Sequence, residues 1–148
     1  MSKKAKIESF FTAKNYAITG VSRDEKKFGR MVYQAFIQKG ITTYPVNPSI
    51  DSINGVKVYS SVNELPAEVE AIVILNNRNK SQVIIDQAIG KGIKNIWVQQ
   101  KSDPVGFSKQ EFNPDINIIT NECIFMWLEP VTGFHKFHKF LKTLFSKN

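Results

Sequence analysis

The sequence predicts an α/β domain of three layers, helices on both faces of a five-stranded parallel sheet. Three observations predict it. Short apolar runs of strand length alternate with longer segments whose apolar residues recur at helical spacing. One run, Ala71-Ile72-Val73-Ile74-Leu75, is apolar at every position, as a strand buried on both faces of a parallel sheet must be. The chain of 148 residues has no repeat and no Pro/Gly/Ser-rich linker, so residues 1–148 are expected to form one domain.

The elements follow in order. Ile7, Phe10 and Phe11 lie at helical spacing within Ser2 to Ala13. Tyr16-Ala17-Ile18-Thr19 is a β-rich run that ends at Gly20. Phe28, Met31, Val32, Ala35 and Phe36 mark one face of a helix, and Gly40 supplies its stop. Thr42 to Val46 is the second strand, where Pro45 lacks an amide donor and must lie near a strand end or on an edge. Asn54-Gly55 marks a turn between Ile53 and Val56, and a short helical turn is expected at Val62 to Leu65. After the third strand, Ala71 to Leu75, Ser81 to Gly90 carries Ile84, Ile85, Ala88 and Ile89 on one helical face. Ile96-Trp97-Val98 is the fourth strand and Ile116 to Ile119 the fifth, joined by turn-like sequence with a short helix expected over Ser108 to Phe112. A last amphipathic helix, about 133–146, has Phe134, Phe137, Leu141, Leu144 and Phe145 on one face and lysines on the other. Alternating strands and helices with right-handed crossovers give a Rossmann-like fold, with the strand order expected as 3-2-1-4-5.

Composition bounds the function. The formal net charge of +7 favours anionic partners such as phosphorylated small molecules, nucleic acid or anionic lipid. No apolar stretch is long enough to span a bilayer, and Ile7-Glu8-Ser9-Phe10-Phe11, which follows the basic start, is too short and too charged for a signal peptide. The single cysteine, Cys123, fits a reducing compartment, so a cytoplasmic location is expected. No nucleic-acid recognition motif is visible, so no nucleic-acid partner is expected.

In an open parallel sheet, ligands bind beyond the carboxyl ends of the strands. The residues just past each expected strand are Gly20-Val21-Ser22-Arg23, Asn47-Pro48-Ser49, Asn76-Asn77-Arg78-Asn79-Lys80, Gln99-Gln100-Lys101 and Asn121-Glu122-Cys123. They are polar, amide-rich and partly basic, which suits a cleft that hydrogen-bonds an anion. The first loop is the most informative. Gly20 and Gly29 let backbone approach a phosphate closely, Ser22 offers a hydroxyl, and Arg23, Lys26, Lys27 and Arg30 add charge around the start of the helix that opens near Phe28. Neither GxGxxG nor GxxxxGK[ST] is present. The second strand ends in Val46-Asn47-Pro48, with no carboxylate until Asp51 to hold the ribose hydroxyls of NAD. A ribose bearing its own phosphate, as in coenzyme A or NADP, fits better there.

At these residues the chain resembles the small stand-alone CoA-binding domain proteins of bacteria, whose fold also forms the CoA-binding domain of the succinyl-CoA synthetase alpha subunit. The resemblance runs from about Asn15 to Cys123. It rests on Ala17-Ile18-Thr19-Gly20-Val21-Ser22, the basic stretch leading to Phe28-Gly29-Arg30, Tyr44-Pro45-Val46-Asn47-Pro48, Gly55-Val56-Lys57-Val58-Tyr59, Ala71 to Leu75, Gly92 to Trp97 and Asn121-Glu122-Cys123. It implies CoA binding, with the first loop and the second-strand tip facing the nucleotide. The expected cofactor-binding residues are Gly20, Val21, Ser22, Arg23, Lys27, Phe28, Gly29, Asn47, Pro48, Asn76, Arg78 and Gln99. No metal site and no catalytic set are expected. Two features depart from the family: the poor helix over Asp103 to Asn113 and the longer final segment from Glu129.

Cys123, past the fifth strand, is either a redox-responsive thiol able to exchange with CoA, activated by Lys101 or a helix N-terminus, or an inert buried cysteine. His135 and His138 are too few to hold a metal. The last helix suits packing on the sheet or on a second copy of the chain, a homodimer. The function expected is binding of CoA or acyl-CoA as a carrier, sensor or regulatory module. The alternative is an NADP-dependent or acyl-CoA-transforming enzyme acting with a partner.

Overall fold

The computed structural model describes residues 1–128. The amphipathic helix expected at 133–146, with His135 and His138, lies outside them.

Ser2 caps the first helix, α1 (Lys3–Phe10), its Oγ accepting from Ala5 N–H at 3.1 Å. The parallel sheet comprises β1 (Asn15–Thr19), β2 (Thr42–Val46), β5 (Ala71–Ile74), β6 (Asn95–Gln99) and β7 (Asn117–Glu122). Helix α2 (Phe28–Gln38) links β1 to β2, and α3 (Arg78–Gly90) links β5 to β6. Between β2 and β5, a hairpin of β3 (Ser52–Ile53) and β4 (Val56–Lys57) turns at Asn54 and Gly55, both at positive φ, as the sequence predicts.

The α/β class and the five parallel strands are as expected; the strand order is not. The order is β2-β1-β5-β6-β7, which for the five strands in chain order is 2-1-3-4-5 rather than 3-2-1-4-5. The third strand pairs with β1, leaving β2 at the edge. Pro45 explains this. Tyr59 N–H donates to Pro45 O from the outer side, at 2.9 Å. A strand residue's N and O point to the same side, so the donor missing from Pro45 is on that edge, where a neighbouring strand would have needed it.

Side chains alternate across the sheet with period two. Tyr16, Ile18, Val73, Trp97 and Ile119 pack with α1 and α2 on one face. Ala17, Ile72, Ile74, Ile96 and Val98 pack with Ile85 and Ala88 of α3 on the other. Right-handed crossovers dictate this division, because the chain steps one way from β1 to β2 and the other way ever after. Between β6 and β7 the expected helix over Ser108 to Phe112 is a 3₁₀ turn, Phe107–Lys109, opened by Gly106 at φ +77°. Gly106 in a left-handed conformation interrupts the chain there, and Gln110 returns to extended backbone directly after the turn.

Candidate functional site at the strand tips

The chain reverses its direction of travel across the sheet between β1 and β5, and a crevice opens there at the strands' carboxyl ends. Gly20 follows β1 at φ +74°, a conformation that admits glycine without strain. A Cβ on it would lie 3.3 Å from the carbonyl group of Leu75 and 3.4 Å from Asn76 Oδ1. Gly29, in the first turn of α2, is closer still: its Cβ would lie 2.0 Å from Gly20 O. The helix start is thereby pressed onto the turn, the close packing that glycine permits in phosphate-binding strand–turn–helix units.

The loop between them is tied down internally. Ser22 Oγ accepts from Asp24 N–H and Asp24 Oδ1 from Lys26 N–H, each at 3.0 Å. Arg30 lies beneath it at 4% exposure, its guanidinium donating to Arg23 O at 2.9 Å and its Nε–H to Gln34 Oε1 at 3.2 Å. The expected contribution of Arg30 to surface charge is therefore corrected: this cation is spent on loop carbonyls. Arg23, Lys26 and Lys27 are exposed. Asn47 joins the first loop to the second, its Nδ2 donating to Val21 O at 2.7 Å while its Oδ1 accepts from Ser49 N–H at 2.8 Å.

On the α3 side of the crevice is a cavity of about 350 Å³. Thr19, Val46, Pro48 and Asn76 line it from the strand tips, and Ser60, Ser61 and Val62 from the crossover. The wall from α3 includes Asn79, Lys80, Val83 and Ile84. Asn76 is shared between this cavity and the Gly20 turn, and its Oδ1 is enclosed with no hydrogen-bond partner. An orphaned acceptor is costly unless a ligand supplies the donor. A larger cavity, about 620 Å³, lies at the other end of the strands, beside Lys94, Asn95 and Asn117. The fold directs ligands to the carboxyl ends, so the smaller one is the better candidate.

The structure thus gathers Gly20, Val21, Ser22, Gly29, Asn47, Pro48 and Asn76 around the crevice. Other expected residues have their side chains engaged elsewhere. Arg78 Nε–H donates to Lys101 O at 3.3 Å and its guanidinium pairs with Asp103 at 3.6 Å. Gln99 is 4% exposed, belongs to β6 itself, and accepts from Ile124 N–H at 3.0 Å. Phe28 stacks edge-on against Phe125. Cys123 is 6% exposed and belongs to the core cluster that contains Ile124. Asn121 and Glu122, expected beyond the fifth strand, lie within β7. The carboxyl of Glu122 is held below its usual range, chiefly by the Trp127 indole N–H and then by Lys3. Lys80 and the Ser60–Val62 wall were absent from the expected set. Val46 pairs with Tyr59, which brings that wall to the tip of β2.

A doubly wound parallel sheet, with a glycine turn pressed against a helix start at its switch point, defines a nucleotide-binding class of domain. Within that class the chain belongs to the CoA-binding domain family, whose model matches residues 14–129. It is 35% identical over 94 residues to the alpha subunit of ADP-forming acetate–CoA ligase II from Pyrococcus furiosus, covering 62% of this chain and 20% of that subunit. It is 26% identical over 98 residues to the uncharacterized protein YneT of Bacillus subtilis, covering 66% of this chain and 73% of that one. Among solved structures, it superposes on a hypothetical protein from Pyrococcus horikoshii OT3 with a TM-score of 0.77 at 26% identity, covering 87% and 91% of the two chains. It also matches the dinucleotide-forming acetyl-coenzyme A synthetase 1 of Candidatus Korarchaeum cryptofilum, solved with phosphate and ADP, with a TM-score of 0.58, 30% identity and 62% and 20% coverage. The chain spans about a fifth of the ligase subunit and of the synthetase.

Proposed function

We propose that this protein binds coenzyme A, free or acylated, across the tips of β1, β2 and β5, and acts as a non-catalytic carrier, sensor or regulatory module. The observation that carries the reading is the approach of Gly29 to Gly20, with no room for a Cβ on Gly29 and a tight fit for one on Gly20. Such packing exposes backbone at the crevice and lets a pyrophosphate lie against it. The cavity residues fit the rest of the group. Aliphatic walls from Val46, Pro48, Val62 and Ile84 suit a flat base, and Asn76 joins that cavity to the Gly20 turn. Bound CoA would supply a thiol for acyl exchange. The polar side chains of the cavity are hydroxyls, amides and Lys80, groups that bind and orient a ligand, which supports the non-catalytic reading.

Calorimetric titration with CoA, dephospho-CoA, NADP and NAD tests it. CoA is expected to bind one to one and more tightly than NAD. Affinity for NAD or NADP with none for CoA would reverse the assignment.

A further inference from the structure

We propose that Lys80 reads the phosphate on the ribose of the bound nucleotide and so sets the preference for CoA over dephospho-CoA; this rests on the CoA-binding reading above. The cavity of about 350 Å³ has room for one end of the cofactor rather than all of it. Its apolar walls from Val46, Pro48, Val62 and Ile84 mark that end as the flat adenine base's. Asn76 also borders the Gly20 turn, so the pyrophosphate leaves the base on that side. The ribose is then at the cavity mouth, where its remaining phosphate faces the α3 wall.

Lys80 is the one charged residue in the lining, and it lies in the first turn of α3. Of the other cations near the strand tips, Arg30 donates to loop carbonyls and Arg78 pairs with Asp103, while Arg23, Lys26 and Lys27 are exposed and line no part of this cavity. Among the described residues, Lys80 Nζ has neither an ion pair nor a side-chain hydrogen bond. The tip of β2, where a basic residue could have met the same phosphate, reads Asn47-Pro48-Ser49-Ile50 and carries no cation. A flexible ammonium at a helix start is suited to a dianionic monophosphate, since its charge and the helix dipole act together.

The test is calorimetry with CoA and dephospho-CoA on the unmodified protein, Lys80→Gln and Lys80→Arg. The unmodified protein is expected to prefer CoA by roughly tenfold, the scale of one charge-assisted contact. Lys80→Gln is expected to bring the two ligands within about twofold by weakening CoA alone, and Lys80→Arg to keep most of the preference. A preference that survives Lys80→Gln, or an equal loss for both ligands, overturns the assignment of Lys80 while CoA binding stands. Equal binding of both ligands by the unmodified protein does the same. Failure of the unmodified protein to bind either ligand rejects the CoA-binding reading, and this inference with it.

Discussion

Gly29 packs its Cα against the carbonyl of Gly20, so that a Cβ on Gly29 would meet that oxygen at 2.0 Å and its carbon at 2.8 Å. Both contacts are to backbone, so no side chain can rotate away to relieve them. Nine residues apart in sequence, the two glycines join the end of β1 to the start of α2.

Gly29→Ala is therefore expected to destabilise the fold by about 3 kcal/mol or more, at the upper end of overpacking effects, because the helix must move off the sheet. Urea unfolding measures it. Gly55→Ala is the control: a Cβ there meets nothing within 4 Å, and only its φ of +79° is strained, so its cost should be clearly smaller.

Asn47→Ala removes the donor that holds Val21 O and the acceptor for Ser49 N–H. A loss of about 1–2 kcal/mol is expected. CoA affinity should fall further than stability alone explains, because the first and second loops are no longer fixed to one another. Unfolding and titration of the same sample separate the two effects.

Arg30→Lys keeps the charge and loses the planar fork that reaches Arg23 O and Gln34 Oε1. Amide exchange for Ser22 to Lys27 is expected to accelerate severalfold, with little change in β5 or β6. Unchanged exchange in that loop would show that Arg30 does not organise it.

Burial, and then the charge of Glu70, push the Tyr16 phenol up from 10.0 to about 12. Its O–H donates to Phe10 O at 2.9 Å and so holds α1 against the sheet. The native state favours the protonated phenol, so this stabilisation is complete below pH 10, the value in the unfolded chain, and is lost as pH rises toward 12. Stability measured across that window should fall less steeply for Tyr16→Phe than for the unmodified protein.

The alternation of strands and helices is legible because most of the strands carry short apolar runs, as at Ala71 to Ile74, separated by segments of helical periodicity. The strand order is only half legible at Pro45, which calls for a strand end or an edge; only the edge bars the third strand from a place outside the second. The Gly20–Gly29 turn was legible without a fingerprint motif, because glycines at a strand end and a helix start have few other uses. Lys80 is legible as a strand-tip residue but not as part of a cavity wall: Asn77 to Lys80 has no apolar periodicity, so the sequence predicts the helix from Ser81, whereas it begins at Arg78 with Asn77 as a cap that makes no side-chain bond. The fates of Arg30, Arg78 and Gln99 depend on which carbonyl or amide lies within reach. For Arg78 and Gln99 the partners come from distant segments, as Gln99 and Ile124 show, and for Arg30 they depend on how the preceding loop folds back over it.

Amide chemical-shift mapping during titration with CoA tests the central claim most directly. Shifts concentrated at Gly20, Val21, Ser61, Asn76 and Lys80 are predicted, around the crevice between β1 and β5. Shifts concentrated instead at Lys6, Lys94 and Asn117, around the cavity at the opposite ends of the strands, would contradict it.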